Sequence, residues 1–206
     1  PTMSEVAWDL EFEKYQTSPE YIELHNHFSL DDFKSIFWWE FIHRMFGRMI
    51  GIVFIIPFVI FWRKKLIPKS MLPKFFMILA LGALQAFLGW FMVKSGLIDV
   101  PRVSHFRLAA HLITAFITCA YIYWVMQYYK GYGHTCKSIS DGRKYVLILL
   151  ALLVAQIVYG GFVAGLKAGW VHNTWPLMDG DIIAPAALAL EPFIDNFFEG
   201  RSGVQF

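Results

Sequence analysis

Apolar residues fall in four long runs, at positions 37–62, 75–93, 108–129 and 145–166, and polar residues collect between and outside them. The last three runs contain no Asp, Glu, Lys or Arg over 19, 22 and 22 residues. About 20 apolar residues coiled as a helix rise the ~30 Å of a hydrocarbon core, so each run predicts a transmembrane helix. Pro57 lies inside the first run and predicts a kink rather than an end, because neighbouring helices can satisfy the carbonyl it frees. Gly47-x-x-x-Gly51 and Gly160-Gly161-x-x-x-Gly165 predict faces where helix backbones approach closely.

The flanking segments divide the chain into three parts: an acidic loop with short helices at 1–35, a four-transmembrane-helix bundle at 36–166, and an interfacial tail at 167–206. Residues 1–35 carry eight acids against Lys14 and Lys34. Within them, Ser18-Pro19-Glu20 is a helix start with proline at the first position, and Ser29-Leu30-Asp31-Asp32 is a cap feeding the next helix. The loop after the first run carries Arg63, Lys64, Lys65, Lys69 and Lys74 with no acid, and the loop after the third carries Lys130, Lys137, Arg143 and Lys144 against Asp141. By the positive-inside rule both face the cytoplasm or its organellar equivalent, with the acidic loop and the tail on the other side. An even number of spans then leaves both ends outside, which predicts a further helix before residue 1.

Composition agrees and narrows the partners. Hydrophobic residues make up 57%, aromatic residues 18% and charged residues 17%, with a mean hydropathy of +0.47, outside the range of a water-soluble domain. The expected fold class is therefore an all-α polytopic membrane protein. A net charge of +2 with no basic patch interleaved with exposed aromatics excludes nucleic acid. Cys119 and Cys136 cannot make a disulfide framework and read as inert thiols.

The chemistry lies in the polar residues set inside the apolar runs. Glu40, His43, Arg44 and Arg48 stand at the head of the first run, and Arg107 and His111 at the head of the third. His43 lies seven residues past Ile36 and His111 seven past Ser104, so both rings sit about 10 Å in from the same boundary. Two imidazoles at matching depth suit the two axial positions of a haem iron, whereas zinc or copper would want further ligands nearby. Glu40 precedes His43 by three residues and shares its face. A haem propionate can be gripped bidentately by a guanidinium, with Arg107 the first choice and Arg102 the second. Arg44 and Arg48 form an i, i+4 pair and join them as cofactor-binding cations, holding a carboxylate or backbone carbonyls in the bundle.

Plainer readings stand beside these. A lone membrane histidine can simply hydrogen-bond across a helix interface, and Glu40 can be a structural partner of Arg44. His25-Asn26-His27 reads as a solvated loop; His105, His134 and His172 read as surface residues. Arg63-Lys64-Lys65 reads as a topology signal or a lipid contact.

Five blocks in order carry a family resemblance: Glu11-Phe12-Glu13-Lys14-Tyr15-Gln16-x-Ser18-Pro19-Glu20; Glu40-x-x-His43-Arg44-x-x-Gly47-Arg48; Leu88-Gly89-Trp90-Phe91-Met92-Val93-Lys94-Ser95-Gly96-Leu97; Pro101-Arg102-Val103-Ser104-x-x-Arg107-Leu108-Ala109-Ala110-His111-Leu112; and Gly161-Phe162-Val163-Ala164-Gly165-Leu166-x-Ala168-Gly169-x-x-x-Asn173-Thr174-x-Pro176-Leu177-Met178. Together they cover essentially the whole chain, which resembles the proteobacterial and mitochondrial branch of the haem A synthases. The resemblance implies an eight-helix fold of two four-helix halves, with the four runs as helices two to five. It implies that His43 and His111 ligate the substrate, haem O, beside Glu40, and that the ring methyl of haem O is oxidised to the formyl group of haem A. Haem b is expected only in the second half, whose helices six to eight, like the first helix, lie outside these 206 residues, so that the chain alone is expected to be inactive. The implied setting is a bacterial or mitochondrial inner membrane, with membrane lipid and a haem O-supplying farnesyltransferase as partners. The electron donor stays open, as does the oligomeric state, a homo-oligomer included. Residues 1–35 lack the cysteine pair of some branches, which removes any thiol step. Two rival classes remain: an electron-transfer cytochrome b subunit, and a haem-free transporter or assembly factor.

Overall fold

The computed structural model describes residues 4–96, 103–131, 142–174 and 176–205. Eight α-helices are described: α1 (Glu5–Gln16), α2 (Pro19–Leu24), α3 (Leu30–Arg63), α4 (Leu72–Gly96), α5 (His105–Tyr129), α6 (Arg143–Gly165), α7 (Asp195–Phe198) and α8 (Arg201–Gln205). Four of them, α3 to α6, are long and apolar enough to cross a membrane. The chain is an all-α, multi-pass membrane protein, as its hydropathy pattern predicts.

The helix starts follow from local chemistry. Ser4 caps α1 by accepting the Ala7 N–H, and Ser18 caps α2 by accepting the Tyr21 N–H at 3.2 Å, with Pro19 at the first position. Ser29 opens α3 with a reciprocal box: its hydroxyl accepts the Asp32 N–H at 3.3 Å and the Asp32 carboxylate accepts the Ser29 N–H at 2.9 Å. The 34 residues of α3 run unbroken through Pro57. At 1.5 Å per residue the helix is about 50 Å long, more than the hydrocarbon needs, so the turns bearing Asp31, Asp32 and Lys34 stand outside the apolar layer.

Two compact units make up the fold, Pro1–Arg102 and Val103–Phe206. In the first, α1 packs on the start of α3, and α2 on α1, through aromatic rings. Trp8 lies edge-on to Phe37 at 5.0 Å, and Tyr15 stacks on Phe33 at 4.9 Å. At the far end of α3, Phe54, Phe58 and Trp62 fall on one face at i, i+4 spacing and meet Phe75 and Phe76 of α4, with Phe58 buried.

In the second unit α5 and α6 meet through small residues. A Cβ on Gly161 would lie 2.9 Å from the Ala109 Cα, and one on Gly165 would lie 2.7 Å from the His105 Cβ. The close-contact pattern read in the sequence is thus met at Gly161 and Gly165. A Cβ on Gly47, Gly51 or Gly160 would meet no described atom within 4 Å. The same spacing is not sufficient for close approach: the opposing helix must come near, as α5 does at Ala109 and His105. Ala109 and Phe162 form a buried core with Val204, which brings the C-terminal segment onto the helix pair. That segment is pinned from inside by Asn196, 1% exposed, whose amide bonds the Leu190 N–H, the Leu190 carbonyl and the Phe193 carbonyl.

Gly160 and Gly161 make an adjacent test of this packing. Gly161→Ala should lower stability by about 1–3 kcal/mol, the range for overpacking a filled site. Gly160→Ala, free of contacts and gaining helix propensity, should leave stability unchanged or raise it by up to about 1 kcal/mol. Thermal unfolding of the two variants in detergent reads the difference, and equal melting temperatures would contradict the contact.

Candidate functional site

On α3, Glu40, His43, Arg44 and Arg48 occupy a stretch of a little over two turns. The Arg44 guanidinium pairs with the Glu40 carboxylate one turn away, so this arginine is engaged by a protein carboxylate, one of the two roles open to it in the sequence. Arg48 donates only to the Met45 thioether at 3.7 Å, a weak acceptor, and no described carboxylate lies within ion-pair distance of it. His43 is exposed on its unit, and no described residue hydrogen-bonds its ring.

Glu40 forms one end of a cleft of about 190 Å³ between α3 and the first two helices, lined also by Tyr15, Pro19, Glu20, Phe33 and Phe37. Its floor is apolar and its polar groups are the two carboxylates, the Tyr15 phenol and the Ser18 hydroxyl. Tyr15 hydrogen-bonds the His25 Nδ1 at 2.7 Å, and Glu20 lies 3.9 Å from the same nitrogen. Burial, and after it the Glu20 carboxylate, pushes the Tyr15 hydroxyl up to about 12. The phenol therefore keeps its proton at any ordinary pH and can donate it to the imidazole. His25 also stacks on Phe28 at 4.1 Å, so the solvated-loop reading of this histidine is corrected: its ring is held in the wall of the aromatic module.

In the second unit, His111 and Arg107 are half-buried on α5, one turn apart. Arg102 and His134 lie outside the described residues, and His43 and His111 belong to different units, each described by itself. Among the described residues no three His, Cys, Asp or Glu side chains gather as a metal-binding set.

Two histidines read as surface residues are enclosed: His105 is buried against α6, and the half-buried His172 is held by the C-terminal segment. His105 is 7% exposed, wedged between Phe106 and Phe162, with Glu199 3.8 Å from its Nε2. His172 is clasped on three sides. Asp179 Oδ2 lies 2.6 Å from its Nδ1, Ser202 Oγ lies 2.5 Å from its Nε2, and Gln205 exchanges two hydrogen bonds with its backbone. No local sequence signal marks this cluster, because Ser202 and Gln205 lie 30 and 33 residues from the histidine they hold.

Over residues 1–206 the sequence matches the family described as COX15-CtaA, cytochrome oxidase assembly protein. A protein of Flavobacterium psychrophilum named heme A synthase is 51% identical over 210 residues, which take in all of this chain and 62% of the relative. Proteins of the same name from Nitrosospira multiformis and Wolbachia pipientis wMel are each 44% identical over all of this chain and 59% of their own length. The chain thus spans about three-fifths of the length of the curated relatives it matches. No solved structure matches it.

Two measurements probe the pinned side chains. Because the folded Tyr15 value lies above the ordinary 10.0, the fold favours the protonated phenol; its contribution is complete below pH 10 and is lost as pH rises towards about 12. Unfolding of wild type should therefore ease between those pH values, and Tyr15→Phe should flatten that dependence. His172→Ala leaves the exposed Asp179 and the buried Ser202 without their shared partner, at roughly 1–3 kcal/mol for the buried Ser202 hydroxyl. Hydrogen exchange across residues 167–205 should accelerate while α3 and α4 stay protected; uniform exchange across the chain would remove the local role.

Proposed function

The chain belongs to the COX15-CtaA family of cytochrome oxidase assembly proteins, and from that membership we propose that it carries the substrate half of a haem A synthase. The substrate is haem O, supplied by a farnesyltransferase, and the reaction converts one ring methyl to the formyl group of haem A. The observation that carries this reading is the match along all 206 residues to relatives named heme A synthase.

The donor set fits the substrate. His43 presents an imidazole with no described protein partner, on a helix whose surroundings are otherwise apolar. A neutral imidazole is the form that both hydrocarbon and iron prefer. His43 and His111 are the residues that would hold the haem iron, on the strength of their matching depth in the sequence. Arg107 and Arg102 are the proposed propionate grips. Arg44 takes a different part: paired with Glu40, it orients that carboxylate, while Arg48 stays available to an anion. None of the histidines on these four helices is assigned to haem b, which relays electrons in the family's second half.

Turning a methyl into a formyl group takes two hydrogens from the carbon, adds one oxygen atom and withdraws four electrons (R–CH3 + H2O → R–CHO + 4 H+ + 4 e−), so an electron acceptor outside this chain must take the electrons and a base must take up protons. Glu40 is the carboxylate placed to take them, one turn from the iron ligand and opening into the cleft beside Glu20 and Tyr15. The proposed topology puts the basic loops on the cytoplasmic or matrix side of an inner membrane, with Glu40 and both ligands near the opposite face.

Pigment extraction with mass analysis, on the full-length protein expressed with haem O, tests these roles separately. Glu40→Ala should retain haem while its yield of formyl product falls roughly 100-fold or more, the lower range for losing a general acid or base. His43→Ala and His111→Ala should each lose bound haem O. Normal product from Glu40→Ala would rule out its role, and undiminished haem in both histidine variants would rule out the ligand pair.

A further inference from the structure

We propose that the turn joining α3 to α4 is a binding site for the headgroup of an anionic phospholipid, a role independent of the chemistry at Glu40. Five cations, Arg63, Lys64, Lys65, Lys69 and Lys74, fall within twelve residues. No Asp or Glu occurs anywhere from residue 41 to residue 98, so the surrounding sequence offers no carboxylate to neutralise them. In the structure Arg63, Lys64, Lys65 and Lys69 are exposed, and none has a carboxylate within ion-pair distance among the described residues. Only Lys74 is tied back, its ammonium donating to the Ser70 carbonyl at 3.2 Å.

The turn is built to hold those cations in place. The N–H groups of Lys64, Lys65 and Leu66 bond back to the carbonyls of Ile60, Trp62 and Phe61 at 2.9–3.0 Å, and Lys65 adopts the left-handed conformation at φ 56° that closes the helix end. The backbone is thereby satisfied by the chain itself, and the unmet demand is charge.

Directly beneath lies an aromatic deck. Trp62 stacks on Phe58 at 6.0 Å and meets Phe76 edge-on at 5.4 Å, leaving 46% of the indole exposed, with Leu66 64% exposed beside it. Tryptophan prefers the level where headgroup meets acyl chain. A ligand suited to this surface is anionic at one end and apolar at the other, as phosphatidylglycerol and cardiolipin are; a free phosphate would use the cations and leave the deck bare.

The test is lipid retention, counted by native mass spectrometry of the full-length protein from nanodiscs of phosphatidylcholine mixed with cardiolipin. Wild type should keep cardiolipin over phosphatidylcholine by roughly tenfold or more, given about fivefold per cation at an anionic surface. Combined Lys64→Gln, Lys65→Gln and Lys69→Gln should abolish that preference, and the three corresponding Lys→Arg changes should keep it. Trp62→Ala should weaken it with no change in charge. Equal retention of both lipids by wild type, or preference surviving in the glutamine variant, would overturn the proposal. So would displacement of cardiolipin by millimolar inorganic phosphate, which would mark an anion site with no use for the lipid's tails.

Discussion

An ionised side chain on a helix that enters hydrocarbon needs a partner of opposite charge, and on α3 the partner stands one turn away. Glu40 and Arg44 pair at i, i+4, so the helix carries a neutral couple at that depth in place of two isolated ions. The pairing settles two things at once. It turns the carboxylate along the helix face that also carries His43, and it leaves the carboxylate bordering the cleft beside α1 and α2. A site on this helix is then described by what the pair leaves over: an imidazole, one further guanidinium at Arg48, and an apolar wall.

How much of this can be read from the sequence depends on how far apart the partners lie. The caps of α2 and α3 involve residues three positions apart, and Ser18-Pro19 and Ser29…Asp32 announce them without reference to the rest of the fold. The four spans are equally plain, because hydrophobicity sustained over 19 residues or more has few other meanings. The glycine patterns are half legible: the spacing at 47 and 51 equals that at 161 and 165, yet only the second is met by a facing helix, at Ala109 and His105, and Ala109 is 52 positions from Gly161. Arg44 is similar, since one turn separates it both from a carboxylate and from depths where a propionate could lie. His105 and His172 were illegible. His105 is enclosed by Phe162 and Gly165 of the facing helix and His172 is held by Ser202 and Gln205, and nothing in the local pattern around either histidine shows that a segment 30 residues or more downstream packs on it.

The two ends of α3 are organised by opposite charge. Its start is wrapped in aromatic rings under an acidic module, and its end is a closed turn of unpaired cations over a Trp and Phe deck. Since no acid intervenes between Glu40 and the end of α4, the electrostatic asymmetry belongs to the α3–α4 hairpin itself. A helix polarised in this way has one preferred direction across a membrane with an anionic inner surface. The ring of His43 lies 20 residues before Arg63, about 30 Å from the basic turn along the helix.

The histidines themselves supply the sharpest discrimination. A histidine with a structural task shows it by its partners: His25 bonds Tyr15, His105 sits among rings with Glu199 nearby, and His172 is held at both nitrogens. The Nε2 of His105 is buried with no hydrogen-bond partner among the described residues, whereas the rings of His25 and His172 are satisfied by protein alone. His43 is not, although it stands on a spanning helix, where an imidazole without a partner is disfavoured by the cost of burying an unpaired polar group. The partner proposed above for this ring is the haem iron, which takes a neutral nitrogen donor in an apolar setting.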